Sequence, residues 1–174
     1  MYQRNIVVIV IILIYVRGVN MSINRGKDFE THFKECWEKL SNSTTIDRLH
    51  DQTTGFAGSK NICDFIAYKY PNIFYLELKS VHGNTLPFSN ITDTQWNGLL
   101  EKAKVYGVYA GIVVWYVDKD VTKYFHIEKL TYLRDKVGNK SVRFDDESGI
   151  EISGKKKRVF FDYDINKFLY EVTQ

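Results

Sequence analysis

Asp64, Glu77 and Lys79 are the residues of this 174-residue chain whose types and spacing best fit chemistry. Two runs rich in β-formers, Ile62 to Tyr68 and Ile73 to Ser80, flank Lys69-Tyr70-Pro71-Asn72. Pro-Asn is turn chemistry, so a hairpin with a four-residue loop is the simplest connection. With Tyr68 opposite Ile73, Ile66 faces Tyr75, Asp64 faces Glu77 and Ile62 faces Lys79. Side chains alternate along a strand, which puts Asp64, Glu77 and Lys79 on one face. Directly opposed Cβ atoms lie roughly 4.5–5.5 Å apart, where two carboxylates repel. A hard divalent cation is the natural counter-charge, and oxygen-only ligands suit Mg2+, with Mn2+ able to substitute, rather than zinc or copper. Lys79 adds an amine that can hold an attacking water or a phosphate oxygen. The parts together describe metal-assisted hydrolysis of a phosphodiester.

The same three residues could form an exposed ion network on a surface hairpin. Their neighbours favour a partly enclosed cleft instead. Phe74, Leu76 and Leu78 alternate with Tyr75, Glu77 and Lys79, while Ile62 and Ile66 share the charged face.

These residues need a scaffold, and the remaining pattern supplies one. Phe29, Phe33, Cys36, Trp37 and Leu40 form one stripe of an amphipathic helix over Lys27 to Leu40, with Glu30 at the border of the stripe. Thr45 to Leu49 is a strand candidate, and Gly55 and Gly58 mark a loop. Thr92 or Asp93 can cap a second helix carrying Trp96, Leu99, Leu100 and Ala103. Tyr109 to Val117 is almost continuously apolar, as in a central strand covered on both faces. A strand near Tyr124 to Ile127, a short helix through Leu133, a hairpin around Gly154 and a helix from Ile165 complete the pattern. The reading is a single α/β domain over residues 21–174.

Composition sets wider bounds. Apolar residues make up 44% and charged residues 26%, which argues for a packed core rather than disorder. The balance of 24 Lys+Arg against 21 Asp+Glu favours a polyanionic partner only weakly. Cys36 and Cys63 lie among apolar neighbours with no metal-ligand spacing, and His32, His50, His82 and His126 show none either. Two free thiols suit a reducing cytoplasm, with a single bridge between them the open alternative. Residues 1–20 form an apolar extension. Its run from Ile6 to Val16 is shorter than the roughly 20 residues of a membrane span. It reads as a signal-peptide core without an A-x-A site, as a buried strand, or as sequence upstream of a natural start at Met21. No membrane role is expected. No nucleotide-binding glycine loop or nucleophilic serine motif is present, so no small-molecule cofactor is expected.

Asp64 followed by Glu77-Leu78-Lys79 resembles the motif of the PD-(D/E)XK nuclease superfamily. Within it, the chain resembles the RecU-type Holliday junction resolvases of Gram-positive bacteria and their phages. The likeness runs through Asn24-Arg25-Gly26, Asp64-Phe65, Glu77-Leu78-Lys79, Leu86-Pro87-Phe88-Ser89, Gln95 and Tyr163-Asp164-Ile165. It implies a restriction-endonuclease-like α/β core, with a mixed central sheet flanked by helices, and a homodimer acting on four-way DNA junctions. It also implies that Asp64 and Glu77 are Mg2+ ligands, with Glu30 completing the set, that Lys79 is the catalytic lysine, and that Gln95 supports the site. RecU proteins carry a stalk between the first helix and the catalytic aspartate. Only Ser41 to Lys60 is available for it here.

The expected activity is therefore a Mg2+-dependent endonuclease resolving four-way junctions. Cleavage of duplex or flapped DNA without junction selectivity, and silent DNA binding, are the alternatives. Arg25, Lys27, Arg48 and Lys60, with the run Lys155-Lys156-Lys157-Arg158, are the candidates for phosphate contact.

Overall fold

The computed structural model describes residues 25–40, 42–49 and 61–174. The apolar extension, Met21, Lys60 and the Gly55/Gly58 loop lie outside these residues, so the expectations attached to them do too.

Helix α1 (Arg25–Glu38) leads into strands β1 (Thr45–Arg48), β2 (Phe65–Lys69), β3 (Asn72–Val81) and the short β4 (Thr85–Pro87). Helix α2 (Asp93–Ala103) follows, then β5 (Val108–Tyr116), β6 (Val121–His126) and helix α3 (Ile127–Tyr132). The chain ends with β7 (Ser141–Arg143), β8 (Ile150–Glu151), β9 (Gly154–Lys156), β10 (Phe161–Tyr163) and helix α4 (Ile165–Val172). A six-stranded sheet in the order β1-β2-β3-β5-β6-β8 organises the chain. β3 and β5 are parallel and joined over the sheet by α2, whereas the other pairings are antiparallel. This is the mixed α/β architecture expected from the sequence.

Alternation along the strands splits the apolar residues into two cores. Phe65, Phe74, Leu76, Leu78 and Trp115 pack with Phe29, Phe33 and Trp37 of α1 and Phe168 of α4. On the other face Ile112, Val114 and Phe125 pack with Trp96 and Leu99 of α2 and Ile127 and Leu130 of α3. Both cysteines are buried and free, one in each core, so the bridge left open by the sequence does not form.

Three local expectations need correction. Lys69 pairs with Asn72 as the last rung of the ladder, so Tyr70 and Pro71 alone make the turn in place of a four-residue loop. The register is nonetheless the expected one, with Tyr68 opposite Ile73 and Ile66 opposite Tyr75. Strand β2 begins at Phe65 rather than Ile62, because the preceding residues leave the sheet to pack beneath α2, where Ile62 meets Gly98. Gly154 does not turn a hairpin but opens β9. The turn falls after it and is closed by the Lys157 N–H donating to the Phe160 carbonyl at 2.7 Å.

Candidate active site

The end of the β2–β3 ladder builds the site. Backbone groups of alternate residues point to the same neighbouring strand. Leu76 and Leu78 therefore both address β2. The Leu76 carbonyl accepts the Asp64 N–H at 3.1 Å. One step further β2 has no strand residue to offer, and the Leu78 N–H is taken by the Asp64 side chain at 2.7 Å. That bond turns the Asp64 carboxylate inward beside β3. Its backbone is held from the other side by the Leu49 N–H, which donates to the Asp64 carbonyl at 2.8 Å.

Glu77 lies on the α2 face of β3 and is only 3% exposed. The Asp64 carboxylate, held on the Leu78 N–H one residue along, is close enough to act on its charge. Lys79 Nζ stands 2.7 Å from Glu77 Oε1, and Gln95 Nε2 donates to the same oxygen at 2.5 Å. Burial, and then the Asp64 charge, push the Glu77 carboxyl up to about 7, with Lys79 opposing. Burial likewise raises Asp64, against the pull of the Leu78 N–H and the charges of Lys79 and Arg48. Two desolvated carboxyls this close are costly without a counter-charge.

Gln95 reaches Glu77 because of how α2 starts. Thr92 caps the helix in a capping box: its Oγ1 accepts the Gln95 N–H at 3.3 Å, and its own N–H donates to Gln95 Oε1 at 3.0 Å. The amide is thereby oriented, since an oxygen that accepts from Thr92 leaves the NH2 end for Glu77. Gly98, one turn on, permits the approach. A Cβ there would lie 2.3 Å from Ile62 Cγ2.

Glu30 sits at the rim. It forms an ion pair with Arg48, and the Arg48 charge in turn acts on Asp64. Among the described residues no group of three His, Cys, Asp or Glu side chains gathers as a metal-ligand set. Asp64 and Glu77 come together, while Glu30 is linked to them through Arg48. Arg48 thus faces a carboxylate where the sequence suggested a phosphate.

Arg25 opens α1, and its Nη1 lies 3.3 Å from His82 Nε2, while His82 Nδ1 lies 2.8 Å from Asp118 Oδ1. That His82–Asp118 pair, which anchors Arg25, was invisible in the sequence because its members lie far apart along the chain. Lys27 is exposed in the first turn of α1. In the basic run, Lys156 pairs with Asp120, and Lys157 Nζ lies 3.6 Å from Asp162 Oδ2. The Gly98 contact was also missed, although a glycine inside a helix is the signal that could have found it.

The fold and site together are those of a restriction-endonuclease-like α/β core with a buried and a half-buried carboxyl beside an amine. Among solved structures, Archaeoglobus fulgidus Hjc, a Holliday junction resolvase from an archaeal hyperthermophile, is similar in fold, with a TM-score of 0.50 and 20% identity. The match covers 73% of this chain and 96% of Hjc. No protein-family model matches the chain, and no curated protein sequence matches it. Among the described residues no helix is long and apolar enough to cross a membrane.

Proposed function

We propose that this chain is a Mg2+-dependent endonuclease that hydrolyses DNA phosphodiesters at four-way junctions, acting as a homodimer with one site for each of two strands. The observation that carries this reading is the gathering of Asp64, held on the Leu78 N–H, and the buried Glu77 beside Lys79. A buried and a half-buried carboxyl, both of which hold their protons more tightly than usual, fit a hard divalent cation, which Asp64 and Glu77 would hold. When bound, it would neutralise charge on the scissile phosphate and acidify a water. Leu78 and Gln95 fix the two carboxylates. Once Glu77 is otherwise engaged, Lys79 is placed to donate to an incoming water or a phosphate oxygen. Glu30 would join the ligand set on leaving Arg48, and Arg25, Lys27 and Lys60 would meet phosphates. The fold likeness to Hjc supports the junction as substrate.

Purified protein incubated with a synthetic four-way junction and Mg2+ or Mn2+ should nick two opposed strands symmetrically, and Asp64→Asn or Glu77→Gln should abolish this. Cleavage that survives both substitutions refutes the assignment.

A second reading has its own support. Residues 45–48 are committed to an edge strand, which shortens what remains between α1 and Asp64 for any junction-entering stalk. Cleavage of duplex without junction selectivity follows if that segment does the selecting elsewhere. Equal rates on a junction and on a matched duplex would favour it.

A further inference from the structure

At the end of the sheet away from His82, the Tyr70–Pro71 turn and the Lys104–Gly107 connection form one tip. The parallel pairing of β3 and β5 brings them side by side, with Ile73 opposite Val108. The Ile73 N–H donates to the Gly107 carbonyl at 2.9 Å, and Gly107 takes a positive φ of 79° as it turns into β5. Large apolar side chains crowd this tip in the open: Tyr70 is 79% exposed and Tyr106 fully so, with Val105 and Tyr68 exposed beside them. Lys69, Lys102 and Lys104 lie close to them in the chain, and among the described residues Lys104 alone of the three meets an acid, Glu101 at 2.6 Å. Lys102 lies over the Tyr75 ring, 5.5 Å from its centre.

Exposed aromatics with cations close by in the chain match a polyanion that also presents flat apolar faces. Single-stranded or unpaired DNA is such a ligand, because its bases stack on aromatic rings while its phosphates meet lysines. Duplex DNA offers only the phosphates, since its bases are already stacked. The tip and the candidate active site share strand β3. Glu77 and Asn72 are five residues apart on one strand, about 17 Å at 3.3 Å per residue. Helix α2 spans the same gap, touching Glu77 at Gln95 and ending at Ala103 beside the tip.

We propose that the Tyr70/Tyr106 tip is a second DNA contact, which stacks on unpaired bases about 17 Å along β3 from Glu77. This rests on the nuclease reading, and the experiment separates the two. Anisotropy of labelled DNA, in Ca2+ to suppress hydrolysis, would compare a duplex bearing a single-stranded arm with a fully paired duplex. The comparison would use the wild-type chain and the variants Y70A/Y106A and Y70F/Y106F. The alanine pair should weaken binding to the armed DNA about tenfold or more while leaving the paired duplex unchanged, and the phenylalanine pair should restore it. A 2-aminopurine placed in the arm should be quenched by the wild-type chain and not by the alanine pair. Equal loss on both DNAs, no loss on either, or a change of sedimentation from dimer to monomer with the alanine pair would overturn the tip assignment. The last result would make it a self-association surface. Failure of the wild-type chain to bind any DNA would instead overturn the nuclease reading.

Discussion

The two faces of β3 follow opposite rules. On one, Phe74, Leu76 and Leu78 enter a core of aromatic and aliphatic side chains, with Phe74 stacked on Tyr109 and edge-on to Trp37. On the other, one residue along, Glu77 is buried almost as deeply but brings a carboxyl, a second carboxyl and an amine with it. The first face supplies folding free energy. The second spends some of it to hold charges where water cannot disperse them, an arrangement that pays only if something binds there.

The sharpest way to test that contrast is to truncate adjacent residues. Leu76→Ala should cost about 2–5 kcal/mol in urea unfolding, as expected for a leucine wholly buried in a packed core, with the folded fraction keeping its cleavage chemistry. Glu77→Gln should reverse both outcomes. Cleavage should fall about a thousandfold or more, since a transition-state charge worth several kcal/mol loses its support. Metal-free stability at pH 8 should hold or rise, because an amide carries no charge to desolvate. A Glu77→Gln protein that is less stable than wild type at pH 8 and still cuts DNA would show the two faces to be alike.

Gly98→Ala comes next. The added methyl collides with Ile62, and overpacking of this kind costs about 1–3 kcal/mol, only partly offset by the roughly 1 kcal/mol that alanine gains in a helix. Relief requires α2 to move off Ile62, and Gln95 moves with it. Activity should therefore fall further than the loss of folded protein explains, as measured at a temperature where both proteins are folded.

A pH series adds a smaller effect with a definite sign. The folded-state value of Glu77, about 7, lies above its ordinary value of 4.5, so the native chain binds a proton more tightly than the unfolded one. That contribution is fully present below pH 4.5 and is lost as pH rises toward 7. Metal-free stability should drop across this window by about 1–3 kcal/mol at most. On the proposed reading Mg2+ would compete for the same carboxylates, so its stabilising effect and its support of cleavage should both grow over the same range. Stability that rises from pH 5 to 7.5 without metal would contradict the buried-carboxyl account.

The hydrophobic face was legible from the sequence in nearly every position, and so was the β2–β3 register, although Asp64 lies past its last rung and is placed by the Leu78 N–H. Period-2 alternation specifies a face, and a short turn specifies pairing. The contacts of the charged face were less legible. Nothing local in Glu30 or Arg48 says that they pair with each other. The anchoring of Arg25 by His82 and Asp118 joins the start of α1 to the ends of β3 and β5. The early end of β2 depends on Ile62 finding room under α2, a tertiary fact that strand propensity does not contain. Candidates for chemistry are thus read from type and spacing, whereas the residues that hold them in place are read from packing.

Thr92 and Gln95 allow the finest cut along that line, because one capping box serves both stability and site. Gln95→Ala removes the donor to Glu77 and, if Glu77 holds a metal as proposed, should lower activity about 10–100-fold. Thr92→Ala removes only the hydroxyl that caps α2, which costs about 1 kcal/mol. The Thr92 backbone N–H survives that substitution and still bonds Gln95 Oε1, so the amide keeps its direction and the donor to Glu77 stays in place. Thr92→Ala should therefore lower the melting temperature with little change in cleavage rate at 25 °C. Gln95→Ala should lower the rate far more than stability alone predicts. If the two variants lose activity in proportion to stability, Gln95 matters only as a cap, and the charged face would need no support from α2.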